Sequence, residues 1–217
     1  MRLLLGEGDF YEWFLGPRMI YTSGVCTDYT VEQSLETLQD KPAIICEKLD
    51  LKPTGRFVTG SISLLSLLGC GWGSLITYAT KNYDCNATGC TLSVNQAAFG
   101  TERIKKNGVS ADKARNLCSD YSDLPVGKGA YTKIISLEMS HVGIHRYSQF
   151  LRPAHDLLDD HGIFVIQVAG IRPPWQHPLQ LEGAGFEIKN VDVLGVHYSA
   201  TIYLYGERWY RVFFLAY

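Results

Sequence analysis

Three glycines spaced two apart, Gly69, Gly71 and Gly73, follow the apolar run Leu64-Leu65-Ser66-Leu67-Leu68 and enclose Cys70 and Trp72. This composition suits a buried strand ending in a tight turn, with a helix expected over Ser74 to Lys81. Glycine tolerates positive φ in such a turn and lets backbone N–H groups approach a ligand with no Cβ between. A strand, a glycine-rich turn and a helix N-terminus together make a cofactor cradle. An empty strand-to-helix turn is the bland alternative, so the other strand ends have to decide. They are polar: Thr91-Leu92-Ser93 after a second strand, Asp120-Tyr121 after a third, Glu138 to His141 after a fourth, and Gln167 in a fifth. Five polar or glycine-rich strand ends in a row argue against empty turns.

Alternating strands and helices must bring these residues to one edge. Cys85 to Thr91 reads as the second strand, and Asn95 to Asn107 as a helix closed by Gly108. Ala114 to Cys118 and Tyr131 to Leu137 are the third and fourth strands. Ile144 to Asp160 is amphipathic, with Ile144, Tyr147, Phe150, Leu151, Leu157 and Leu158 on one face and a kink expected at Pro153. Ile163 to Ala169 is the clearest strand. This alternation predicts an α/β fold with a doubly wound, mostly parallel sheet, whose right-handed crossovers place ligands beyond the strands' carboxyl ends. Upstream, Thr30 to Leu49 is helical in pattern, with Thr30 and Gln33 as a capping box and a second helix over Ala43 to Leu49. Phe10 to Gly24 is an aromatic cluster broken by Gly16 and Pro17 into a short helix, a turn and an extended piece. It is either a capping segment or a flap with the hydroxyls of Tyr21, Thr22 and Ser23 turned inward. Phe57 to Ser63, small and polar, fits no element. Residues 1–55 therefore read as a flap and helical cap, and 56–217 as the domain that holds the cradle.

Composition narrows the class. The chain has 217 residues, 46% hydrophobic and 19% charged, which is enough for one real core. A formal charge of −2 gives no electrostatic case for nucleic acid. The 13 tyrosines, 9 phenylalanines and 4 tryptophans suit a pocket for an apolar or cationic ligand as well as a core. Cys26, Cys46, Cys70, Cys85, Cys90 and Cys118 are scattered without a Cys-x-x-Cys pair, so buried free thiols of an intracellular protein are expected and a metal site is not. No signal peptide is recognised, and the longest apolar run, Ile62 to Leu68, is too short to cross a bilayer.

Longer motifs add a resemblance. Gly69-Cys70-Gly71-Trp72-Gly73, Thr91-Leu92-Ser93 with Asn95-Gln96, and Tyr131 to Gly143 resemble the first, second and fourth-strand motifs of the S-adenosylmethionine-dependent methyltransferases of the cyclopropane-fatty-acid synthase family. Phe10 to Gly24, Gln167 to Gly170, Val191 to Ile202 and Tyr205 to Tyr210 look more narrowly like fungal sphingolipid 9-methyltransferases, in a truncated or exon-skipped form. The resemblance implies a Rossmann-like class I fold and methyl transfer to an alkene carbon of a membrane lipid, the long-chain base of glucosylceramide. It places Gly69, Cys70, Gly71, Trp72 and Gly73 at the methionine end of the cofactor. Thr91, Leu92, Ser93, Asn95 and Gln96 come to its ribose and adenosine side, Asp120 and Tyr121 to the adenine, and Tyr21 and Thr22 to the amino-acid carboxylate. Tyr198, Trp72 and Phe10 would offer aromatic faces to a carbocation. The implied setting is a membrane surface of endoplasmic-reticulum type.

Departures from the family pattern qualify the chemistry. The cyclopropane synthases are thought to hold bicarbonate as base with Cys, Glu, His and Tyr. Here Tyr198 matches, Ser23 stands for the Cys and Gln167 for the His, which favours methyl branching over ring closure and makes bicarbonate doubtful. The family's Asp before the first glycine is Leu67. Its Glu-His pair reads Ser140-His141, which leaves Glu138 out of register. Only Pro173 to Gln180 stand where the family carries a helical roof, and the last strand is expected to be missing. The expectation is a poor or inactive methyltransferase. The alternatives are a cyclopropane-fatty-acid-phospholipid synthase, or a catalytically silent protein that binds cofactor or lipid.

Overall fold

The structure is a computed structural model that describes residues 7–25, 41–51, 64–124, 126–138, 147–169 and 178–215. Its elements are α1 (Glu7–Leu15), α2 (Lys41–Lys48), β1 (Leu64–Leu68), α3 (Ser74–Tyr83), β2 (Asn86–Thr91), α4 (Val94–Lys106) and β3 (Ala114–Cys118). A 3-10 turn (Tyr121–Asp123), β4 (Tyr131–Leu137), α5 (Tyr147–Leu157), β5 (Leu158–Gln167), α6 (Pro178–Glu182) and α7 (Gly195–Leu215) follow. Every strand pairing is parallel, and the order is β3-β2-β1-β4-β5. The chain moves outward from β1 through β2 to β3, then crosses to β4 and β5 on the other side. The topological switch therefore lies between β1 and β4, where open α/β sheets form a crevice at the carboxyl ends.

Alternation along the strands feeds two cores. Leu67, Ala87, Ala114 and Ile135 face one side and pack under Ile45 and Cys46 of α2, Ile76 and Ala79 of α3 and Ile104 of α4. Leu68, Cys90 and Ile134 face the other and pack with Phe150, Leu151 and Ala154 of α5. A third cluster joins Leu15 and Met19 to Trp72.

The bounds of β3 and β4 match the sequence reading, and α3, β2 and α4 lie within two residues of theirs. The helix expected to run to Asp160 stops at Leu157, because Leu158 already pairs with Tyr131 in the sheet. The next matched pair is Lys133 with Ile163, so Asp159 to Gly162 form an irregularity on the β5 side. The expected helix starts at Thr30 and Ile144 and the segment Phe57 to Ser63 lie outside the described residues.

Candidate active site

The glycine-rich turn shows what each glycine is for. Gly69, Gly71 and Gly73 have φ of 74°, 54° and 76°, the left-handed region that a side chain rarely adopts. A Cβ on Gly73 would sit 2.8 Å from Gly100 Cα, so this glycine lets the turn press against α4. A Cβ on Gly71 would meet nothing within 4 Å, so this glycine faces open space, as a ligand cradle requires. Asn116 ties the turn to its neighbours. Its Nδ2 donates to Gln96 O at 3.2 Å, and its Oδ1 accepts from the Cys70 thiol. Burial pushes the Cys70 thiol well above its ordinary value, so it is a packing group rather than a nucleophile. At the end of β2, Thr91 donates its hydroxyl proton to Gln96 Oε1 at 2.7 Å, and Ser93 caps α4 by accepting from Gln96 N–H.

A polar cluster fills the carboxyl end of β4 and β5. Glu138 has φ of 60°, a strained conformation for a non-glycine residue, and its N–H donates to Gln167 O at 2.9 Å. Gln167 Nε2 donates to Glu138 Oε1 at 2.5 Å, to Ser23 Oγ at 3.0 Å and to Thr22 Oγ1 at 3.2 Å. Thr22 in turn donates to Glu138 Oε1 at 3.2 Å. Lys41 Nζ donates to Thr22 Oγ1 at 2.8 Å and to Gln167 Oε1. Burial lowers the Lys41 pKa to about 7 against the opposing pull of Glu138. Tyr198, on α7, has its pKa raised, first by burial and then by Glu138 and Tyr21, so it stays protonated at neutral pH.

The aromatic segment is held over this region by α7. Tyr205 donates to Ile20 O at 2.7 Å, and Gly24 N–H donates to Thr201 Oγ1 at 2.8 Å. Phe14 meets Tyr205 and Trp209 with ring centroids 5.8 and 6.3 Å apart. Trp72 is buried, with Tyr11 at 5.4 Å and Phe99 at 5.2 Å, so its ring is occupied by packing. Arg103 fastens the other edge by donating to Pro17 O and Arg18 O. A cleft of about 570 Å³ opens elsewhere, between α3 and α4, and none of Thr22, Ser23, Glu138 or Gln167 lines it.

Residues 6–183 match the family described as mycolic acid cyclopropane synthetase. The chain belongs to this family. It is 45% identical to Sphingolipid C9-methyltransferase 2 of Gibberella zeae, over 96% of this chain and 47% of that protein. It is 41% identical to Sphingolipid C9-methyltransferase of Candida albicans, over 94% and 43%. The chain thus spans about half the length of the curated relatives it matches. The alignment with the Gibberella protein covers 254 positions, more than the 217 residues present, so internal segments of that relative have no counterpart here. The fold is that of the cyclopropane synthase MmaA2 from Mycobacterium tuberculosis, with a TM-score of 0.78 at 23% identity over 92% of this chain and 78% of that one. Cyclopropane synthase CmaA1, solved with SAH and CTAB, gives 0.75 at 24% over 93% and 78%.

Against the family pattern, the structure brings Thr22, Ser23, Glu138 and Gln167, all named from sequence, together by direct bonds, and Tyr198 stands on α7 within reach of the Glu138 charge, which helps raise its pKa. Glu138 looked out of register from sequence, yet its left-handed backbone turns it into the cluster. His141 and the side chain of Phe10 lie outside the description. Thr22, expected at the cofactor, has its hydroxyl in the carboxylate cluster, while Tyr21 is 65% exposed. Asp120 accepts from Ser122 N–H and Oγ and so shapes the turn, and Tyr121 packs on Phe150 at 5.4 Å. Leu92 is 74% exposed and Asn95 is also exposed. Sequence reasoning missed Lys41. Its signal was a lysine opening an apolar helix, where the helix dipole disfavours a cation. Among the described residues no group of three potential metal ligands occurs, and no helix is long and apolar enough to cross a membrane.

Proposed function

We propose that this chain transfers a methyl group from S-adenosylmethionine to an alkene carbon of a membrane lipid, the long-chain base of glucosylceramide. The observation that carries this reading is the meeting of cradle and carboxylate cluster at one switch point, after β1 and β4. The names of the similar fungal proteins supply the substrate class. The cofactor would rest on the backbone of Gly69 to Gly73, with the open space at Gly71 accommodating it, and Thr91 and Gln96 beside its ribose. Once bound it supplies an electrophilic methyl group. The chain's own residues must then steady a carbocation and take up a proton.

Exposed aromatic faces of Tyr198 and Tyr21 suit the first task, because the buried ring of Trp72 is already packed. Glu138 suits the second: it is a carboxylate held by two donors on one oxygen. Tyr198, which keeps its proton, orients rather than accepts. Gln167 donates to Ser23 and to Glu138, which ties the positions matching the bicarbonate pattern to one another, so Glu138 itself, rather than a captured bicarbonate, is the base in this reading. Removing the proton from the alkene carbon then leaves a methyl branch. Turnover is expected to be low, since Pro173 to Gln180 are too few to cover a lipid and a carbocation needs a dry site. The experiment is single-turnover transfer of labelled methyl to glucosylceramide in detergent. Slow transfer that Glu138→Gln abolishes is expected. A complete lack of both cofactor binding and transfer would leave the silent-protein reading. Turnover equal to that of a full-length relative would show that the roof is dispensable.

A further inference from the structure

Lys41 is 3% exposed, yet its ammonium ends in the heart of the cluster rather than in solvent. An ammonium has three donors and no acceptor. Each group it touches must therefore turn its own proton elsewhere. Thr22 Oγ1, receiving from Lys41 at 2.8 Å, aims its hydroxyl proton at Glu138 Oε1. Gln167, whose Oε1 receives from Lys41, shows the opposite edge of its amide to Glu138 Oε1, Ser23 Oγ and Thr22 Oγ1. We infer that Lys41 is the positioning residue of this site, the group that fixes the proton direction of Thr22 and the amide orientation of Gln167 so that both donate to one oxygen of Glu138. A flipped amide would set its oxygen against a carboxylate and its NH2 against an ammonium. Among the described residues Glu138 is the charged group that acts on Lys41, while Tyr198 from α7 and Tyr21 from the aromatic segment are the titratable groups coupled to the network.

The inference rests on the proposed function only in treating Glu138 as the base, and its first readout needs no turnover. Side-chain NMR of the full chain, with isotope-labelled glutamine and lysine, reads the Gln167 amide, assigned by its loss in Gln167→Glu. The amide protons should shift together with the Lys41 signal through the single transition at which the buried amine loses its proton. Lys41→Met should abolish that transition and speed amide proton exchange about tenfold or more. An amide unmoved while the Lys41 signal titrates in the parent overturns the assignment even if the variant does not fold, and so does an amide indifferent to Lys41→Met. The second readout is kinetic. In a chain that transfers methyl groups, Lys41→Met should slow saturated single turnover about 10- to 100-fold while cofactor affinity stays within about twofold. Lys41→Arg should recover part of the rate. Equal loss in both constants, or no loss, overturns the positioning role. An inactive parent with a coupled amide and lysine would sink the proposed reaction and leave this assignment standing.

Discussion

Around the switch point, at β1 and β4, the sheet is closed in, while at the β5 edge it is not. Leu67 and Leu68 of β1 and Ile134 and Ile135 of β4 are at most 3% exposed, and α2, α3 and α4 cover one face completely enough to bury Cys46 and Ile76. In β5 no residue is buried. On α7, which packs on α1, Val196, Tyr203 and Tyr210 recur every seven residues with exposures of 65%, 66% and 62%. The strand β5 packs Ile163 and Val165 against the first core and Phe164 and Ile166 against the second, all four only partly buried. The cradle sits within the closed region and can therefore outlast losses at the β5 edge.

The largest effect should come from attacking the closed half. Ile134→Ala and Ile76→Ala should each cost about 3–4 kcal/mol in denaturant unfolding, since both side chains are fully buried. Val165→Ala, partly exposed in β5, should cost less than about 1.5 kcal/mol. Equal costs would show that β5 is packed as tightly as β4. Gly71→Val comes next. It meets no protein atom, so the fold should survive with a cost of about 1–2 kcal/mol from its left-handed backbone. S-adenosylmethionine affinity in calorimetry should nevertheless fall about 100-fold or more. Unchanged affinity would show that the cofactor does not rest on this turn.

A pH series sharpens the contrast through Lys41. Its proton leaves at about 7 in the folded chain but at 10.5 in the unfolded one. Between these values the unfolded chain binds more protons, so stability rises with pH. Buried thiols work the other way: Cys46 is pushed up to about 12 and Cys85 to about 11, so the unfolded chain loses those protons first above about 8.5. The window is therefore about pH 7 to 8.5, and the gain across it is about 2 kcal/mol. Lys41→Met should flatten that slope, and a slope that survives the substitution would assign it to another group. The smallest effect is Tyr205→Phe, which loses the bonds to Ile20 O and Thr22 O and should cost about 1 kcal/mol. No cost at all would mean that aromatic packing alone holds the segment.

Much of the closed half was legible in the sequence because its signals are local. β3 and β4 are bounded by turn residues, and Ser93 and Gly108 mark the ends of α4. The join of α5 to β5 was not legible: Leu157 and Leu158 fit a helix face and a strand equally well, and the choice is made by pairing with Tyr131. The cluster was half legible. Ser23, Glu138, Gln167 and Tyr198 were named as strand-end or motif residues, but their meeting depends on a left-handed backbone at Glu138 that no pattern announces. Lys41 was missed because charge on a helix is ordinarily read as solvated, and its partners Thr22 and Gln167 lie 19 and 126 positions away.

The bonds that fasten the aromatic segment to α7 span 177 to 185 residues. A ribosome makes the aromatic segment long before α7, so these bonds close late, although Arg103 can hold the segment's other edge sooner. The glycine cradle, built from contacts between neighbouring elements, can be assembled while the segment is still loose on that side. Thr22 and Ser23 meet Gln167 only once β5 has been made, so a nascent chain would own a place for its cofactor before it owned its proton-handling residues.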